Sequence, residues 1–216
     1  MIRVYIICEG ETEELFVKKV LQPYFELKNI LILPRGLKGG FSYESLKNVI
    51  IKTLNEDKNA YVTTLIDLYG MNNKYPGYEE NKDNLNPFEK AKLIELAVFQ
   101  DVINLASYNQ KFIPHFQFHE FEAILFTEPA IIQDWLSLDK VIPKNAFQNI
   151  RDSYETPEHI NDSPQTAPSK QILKIAPFYD KISDGISIVQ DTGLYKIREN
   201  CAHFDNWIKT IETLKL

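Results

Sequence analysis

Cysteine is scarce in this chain: Cys8 and Cys201, far apart, are the two in 216 residues. That count argues against a disulfide scaffold and fits a reducing compartment. Long apolar runs are lacking too, and nothing approaches the roughly 20 residues that a membrane helix needs. The opening residues 1–8 are too short an apolar run for a signal peptide and lead straight into acids. The expectation is a cytoplasmic protein with no membrane partner. Basic residues are outnumbered, 24 Lys and Arg against 30 Asp and Glu, for a formal net charge of -6. A general nucleic-acid binder needs Lys and Arg for phosphate contacts, but a metal site needs carboxylates, and a bound divalent ion reverses their local effect. A Walker-type glycine loop, Gly-x-Ser-x-Gly and His-Glu-x-x-His are all missing, which sets those enzyme classes aside. Cys201 and His203 have the look of half a zinc site, but no second pair stands at ligand spacing.

What is present is 44% hydrophobic and 12% aromatic residues, enough for a well-filled core. The first half alternates strand and helix signals. Residues 2–8 are a short Val- and Ile-rich run, as expected of a buried strand. Residues 11–27 carry a helical stripe of Phe16, Val20 and Tyr24, with acids in the first turn where the helix dipole favours them. A second strand spans Ile30 to Leu33 and closes at Pro34, followed by Gly36, Gly39 and Gly40. Ser42 opens a helix, and Tyr61 to Ile66 is a third strand ending at Asp67. A polar loop from Leu68 to Asn86 follows, longer than a connection needs. Asn86, Pro87 and Glu89 make a dense helix start. Lys111 to Phe118 alternates as a strand, and His119 to Phe126 reads as a helix. This repetition implies parallel pairing and an α/β fold. Residues 1–126 are expected to form the core and residues 127–216 a mostly helical extension packed on it, broken by a polar loop from Arg151 to Pro168.

In open parallel sheets ligands sit beyond the carboxyl ends of strands. Three such ends carry acids: Glu9 after the first strand, Asp67 after the third, Glu120 and Glu122 after the fourth. Carboxylates converging there repel unless a cation or protons neutralise them, and hard oxygen donors suit Mg²⁺ or Mn²⁺ better than Zn²⁺. Gly10 lets a ligand approach Glu9. Glu13 lies one turn along the same helix face and could complete a ligand set. The competing roles are plain ones: helix-entry acids for Glu9 and Glu13, a turn-initiating aspartate for Asp67, a solvated surface for Glu13. His119 is a candidate general acid or base or phosphate contact, set against a capped helix start. Ser169 and Lys170, at a helix start after the second loop, offer amides, a hydroxyl and an ammonium to a phosphate. Arg198 could reach a phosphate or simply an acid.

Taken in order, Glu9-Gly10-Glu11-Thr12-Glu13, Asp67-Leu68-Tyr69-Gly70, His119-Glu120-Phe121-Glu122-Ala123, Thr166-Ala167-Pro168-Ser169-Lys170 and the run from Ile197 to Phe204 resemble the DUF4276 family of toprim-like proteins. The resemblance implies a compact parallel sheet flanked by helices and Mg²⁺-dependent chemistry on phosphodiesters. It is similar to that of overcoming-lysogenisation-defect nucleases and of the toprim effectors of PARIS-type anti-phage systems, where an ATPase partner restrains the effector. By that resemblance Glu9 is the toprim glutamate, Glu13 an added acid of the nuclease branch, and Asp67 the first acid of an Asp-x-Asp pair. Tyr69 stands where the second acid belongs, so Glu120 or Glu122 would have to supply the missing oxygen. Ser169-Lys170 fits the basic residue that contacts the scissile phosphate in the nuclease relatives. The expected function is a Mg²⁺- or Mn²⁺-dependent nuclease on DNA or RNA, serving as an ATPase-controlled defence effector. The alternatives are a non-catalytic binding module of an ATPase complex and a nucleotidyl or phosphoryl transferase on a small nucleotide.

Overall fold

The computed structural model describes residues 1–37, 42–68, 75–78, 86–105, 111–138, 140–160 and 166–215. These fall into two compact units, residues 1–118 with 209–216, and residues 119–208. Among the described residues no helix is long and apolar enough to cross a membrane.

The first unit is built on a parallel sheet of β1 (Ile2–Cys8), β2 (Ile30–Gly36), β3 (Tyr61–Asp67), β4 (Phe112–Ile113) and β5 (Phe116–Gln117), in the order β2-β1-β3-β4 with β5 also on β3. Val4, Ile6, Ile7 and Cys8 of β1 are all fully buried, so both faces of this strand are covered, as parallel sheets require. On one face Ile7, Val62 and Ile66 pack with Leu46, Ile50 and Leu54 of α3 (Tyr43–Glu56) and Ala91, Ile94 and Val98 of α4 (Pro87–Ile103). Both helices begin as their sequences specify. Ser42 accepts a hydrogen bond from the Ser45 amide at 3.1 Å. Asn86 accepts from the Glu89 amide at 3.0 Å, while Glu89 accepts from the Asn86 amide at 3.3 Å, a reciprocal capping box.

Prolines account for three departures from the expected elements. The second strand does not close at Pro34 but continues to Gly36, with Pro34 opposite Ile6. Since β2 is an edge strand, the missing N–H leaves no gap in the sheet. The first long helix is not uniformly α. It runs as α1 (Glu11–Phe16), a π-helical stretch (Val17–Leu21) and α2 (Gln22–Glu26). Pro23 cannot donate to the carbonyl four residues back and its ring would strike it, and the widened turn just before it, where the Gln22 amide reaches Val17 O, absorbs the conflict. The fourth strand, expected as one piece over residues 111–118, is two short ones separated by Pro114 and His115. There the Thr64 hydroxyl takes over the ladder: it accepts from the His115 amide at 2.9 Å and donates to the His115 carbonyl at 2.6 Å. The Phe116 amide donates to Glu95 at 3.0 Å. The terminal segment 209–216 is tied to the same unit, with Glu212 accepting from the Tyr24 hydroxyl and lying 3.2 Å from the Lys28 ammonium.

The second unit holds α5 (Pro129–Leu136), α6 (Ala146–Arg151), α7 (Pro168–Ile175), α8 (Ser183–Thr192), α9 (Leu194–Asn200) and most of α10 (Ala202–Glu212). Its helix expected over residues 119–126 is a 3-10 helix, Phe121–Thr127, with every residue buried. So long a 3-10 run is uncommon, and here complete burial holds it. Within the stretch expected as loop, a short 3-10 turn (Pro157–His159) presents Glu158. This buried carboxylate accepts from the His203 and Phe204 amides at 3.1 and 3.0 Å, capping the start of α10. Burial nevertheless pushes its pKa above the ordinary carboxylate range, against the pull of those two amides.

Two stability predictions follow from these contacts. Replacing Thr64 with Val keeps the shape but strands the His115 amide and carbonyl, and should cost about 1–3 kcal/mol by urea denaturation. Replacing Glu158 with Ala should cost a similar amount, about 1–3 kcal/mol, because two buried helix amides lose their acceptor. Because the folded-state pKa is raised, the folded protein holds this proton more tightly, and the contribution is fully present below the unfolded value and declines as pH rises through the folded one. The wild-type-minus-variant difference should therefore be larger near pH 4 than near pH 8; a difference that grows with pH contradicts this assignment.

Candidate metal centre

The register of the first unit decides where its acids go. Cys8 sits opposite Leu65, so the residues that follow each strand, Glu9 and the Ile66-Asp67 end of β3, emerge side by side at the carboxyl edge of the sheet. The Asp67 amide donates to Glu9 Oε2 at 3.2 Å. One turn along α1, Glu13 curls back so that Oε2 accepts from the Gly10 amide at 3.0 Å, and it is only 6% exposed. It thus serves as a helix-entry acid and still lies on the Glu9 side of the helix start. A Cβ at residue 10 would meet that oxygen at 3.3 Å, which makes glycine the easy fit.

Glu14, one of the first-turn acids of α1, belongs to the same edge. A side chain at residue 36 would place its Cβ 2.1 Å from Glu14 Oε1, so Gly36 is what allows this carboxylate to lie across the end of β2. Glu14 also pairs with Lys18 at 3.2 Å. Glu9, Gly10, Glu11, Glu14, Lys18 and Gly36 line an open cleft of about 420 Å³. The concentration of negative charge is felt by its neighbours. Burial, then Glu13 and Glu14, push the Cys8 thiol far up; burial, then Glu9, does the same to the Tyr75 phenol. Tyr75 is held by Tyr43, with ring centroids 5.0 Å apart, and stands edge-on to Phe116 at 6.4 Å. It lies in the long loop after β3, where nothing but loop length hinted at a role. Tyr69 and Gly70, part of the same loop, lie outside the described residues.

The donor set suits a hard divalent cation in its chemistry, although among the described residues no three of these carboxylates bring ligand atoms within 4.8 Å of one another. It consists of carboxylates on two adjacent strand ends and the first turn of a helix, beside an open cleft with room for water, as Mg²⁺ and Mn²⁺ prefer. No thiol or imidazole is among them, which disfavours zinc.

In the second unit the remaining candidates separate. Glu120 accepts from the Ser169 amide at 3.0 Å. The α7 N-terminus, expected as a phosphate seat, therefore already holds a carboxylate, which suits the helix dipole and the absence of a side-chain cap at Ala167. Ser169 is half-buried and Lys170 exposed beside it. His119 is buried. Glu122 is completely buried, and the Lys181 ammonium lies 3.3 Å from its Oε2. Burial raises the Glu122 pKa and Lys181 opposes the rise. Arg198 is engaged by Asp205 at 2.6 Å. Cys201 is buried with its sulfur 3.9 Å from the Thr127 hydroxyl, and His203 lies in the capped start of α10.

No curated protein matches the chain. A solved structure, the C-terminal region of the Burkholderia pseudomallei OLD protein, is similar with a TM-score of 0.51 at 14% identity, covering 98% of this chain and 97% of that one. That likeness is one of fold, and the architecture is toprim-like α/β. The family model described as a domain of unknown function, DUF4276, matches residues 8–212, and the chain belongs to that family.

Proposed function

We propose that the protein is a divalent-metal-dependent nuclease whose metal is held by Glu9 and Asp67. The observation that carries this reading is the direct contact of the two acids' segments at the carboxyl ends of neighbouring parallel strands, Asp67 amide to Glu9 carboxylate, on the edge that bears the cleft. Two carboxylates so placed, with Glu13 and Glu14 behind them, form a negative site that a divalent cation relieves. When bound, Mg²⁺ or Mn²⁺ would supply an activated water and neutralise charge on the phosphate.

The chain's own groups have separable tasks in this reading. The Asp67 amide fixes the orientation of Glu9, and the Gly10 amide that of Glu13. Gly36 keeps the cleft floor low enough for Glu14 to reach across it. In the second unit Lys170, exposed on the first turn of α7, is the proposed phosphate contact, with Ser169 beside it and His119 the proposed proton carrier. Restraint by an ATPase partner and a role in anti-phage defence belong to the same proposal and rest on the family resemblance.

The test is cleavage of plasmid, single-stranded DNA and tRNA by the purified protein in Mg²⁺ and in Mn²⁺. Cleavage is expected in at least one of these and should vanish in EDTA. Changes one shell away from a metal commonly cost 10- to 100-fold, so Glu9→Gln and Asp67→Asn should each reduce the rate by about 10²-fold or more. Cleavage that persists in the double variant overturns the site.

A further inference from the structure

The cleft at the Glu9 edge of the first unit contains an ammonium as well as acids. Glu9, Glu11 and Glu14 line it, and among the described residues Lys18 is its one basic side chain. The adjacent Lys19 is exposed like Lys18 but is no part of the lining. Helix geometry makes that choice, since Lys18 stands four residues after Glu14 and so shares its face. The floor between the strand ends is backbone, closed by the Leu37 amide donating to the Cys8 carbonyl at 3.1 Å. Gly10 and Gly36 flank it without side chains, which leaves about 420 Å³ open to an incoming group.

The present partner of Lys18 is a weak one. Its Nζ lies 3.2 Å from Glu14 Oε2, with the two side chains 46% and 31% exposed. A solvated glutamate-lysine pair at this spacing is worth only about a factor of two in an equilibrium constant. A charge-assisted bond from the same ammonium to a phosphate oxygen is worth about tenfold or more. Exchange of partners is therefore favourable once a phosphate is in reach. Glu14 itself is placed by Gly36, because its Oε1 occupies the space that a Cβ there would need. The three carboxylates repel a phosphate until a divalent cation at this edge offsets their charge. With that charge offset, the Lys18 ammonium is what the described lining offers to an anion. Lys170 belongs to the second unit, whereas Lys18 shares one cleft with Glu9 itself.

We infer that Lys18 is a substrate-contact residue, which binds a phosphodiester group of a nucleic-acid strand in this cleft and gives up Glu14 to do so. This rests on the nuclease reading of the protein and adds to it a strand-binding group on the same edge as Glu9.

The test is strand binding by the full chain, followed by fluorescence anisotropy over a series of NaCl concentrations. The probes are labelled oligothymidylate and oligouridylate of equal length, in millimolar CaCl2 so that binding is read apart from cleavage. Lys18→Met should weaken binding of both probes about tenfold at low salt. The slope of log affinity against log salt should flatten by about 0.7, the signature of one lost phosphate contact on a single strand. Lys18→Arg should restore both quantities, and Lys19→Met, an equal loss of charge next to the cleft, should stay within twofold of wild type. An affinity of Lys18→Met within twofold of wild type with an unchanged slope overturns the inference. So does a Lys19→Met variant that loses as much as Lys18→Met, since surface charge at large would then explain both. If Lys18→Met binds like wild type and EDTA-sensitive cleavage persists in both, only the Lys18 contact falls. If wild type neither binds nor cleaves either strand in any of Ca²⁺, Mg²⁺ or Mn²⁺, the nuclease reading falls with it.

Discussion

The pairing of β1 with β3 is the constraint from which the candidate site follows. Parallel strands in register bring their carboxyl ends out together, and here each of those ends carries an acid. Two carboxylates brought to one edge are a cost to the fold unless something else is gained there. The backbone meets part of it locally, with an amide from one strand end bonded to the carboxylate of the other. The helix that follows β1 meets another part, since its first turn offers amides and a favourable dipole to Glu13. What remains is concentrated negative potential beside an open cleft, which is the property a hard cation uses.

Much of this was legible in the sequence because it depends on short-range rules. The strand ends at Glu9 and Asp67 could be read from buried apolar runs closed by polar residues. The caps at Ser42 and Asn86 were legible because capping is a matter of three or four adjacent residues. The family motifs likewise pointed to a toprim-like sheet, and the architecture agrees. The elements that escaped depend on contacts distant in sequence. Whether Pro34 ends a strand depends on whether that strand is an edge. Whether Pro114 breaks the fourth strand depends on a hydroxyl from Thr64, some fifty residues away. The 3-10 form of residues 121–127 is held by burial on all sides, and a helical pattern does not distinguish it from an α-helix.

The candidate residues show the same division. Glu9 and Asp67 could be placed from strand ends alone. Glu14 could not be told from its neighbours Glu11 and Glu13, because what singles it out is the absence of a side chain at Gly36 on another strand. Glu158 lay in a stretch with loop composition, and its use as a helix cap appears only when α10 is brought to it. Glu120 was read as a ligand and the α7 start as an anion seat; the fold joins the two, so that one satisfies the other.

The π-helical stretch between Phe16 and Gln22 bears on how one helix can serve two surroundings. An extra residue in a turn rotates everything after it by about a quarter of a circle relative to everything before. Ahead of the stretch, Glu13 and Glu14 address the strand ends. Behind it, the Gln22 side chain donates to Ile32 O at 2.8 Å, and Tyr24 and Lys28 hold Glu212. The two halves therefore keep separate angular phases. Shortening the chain by one residue anywhere in Val17–Leu21 would remove the widened turn, restore the conflict at Pro23 and leave one end of the helix facing the wrong way. The irregular turn is thus the phase adjuster that lets the acidic front of this helix be aimed independently of its packed rear.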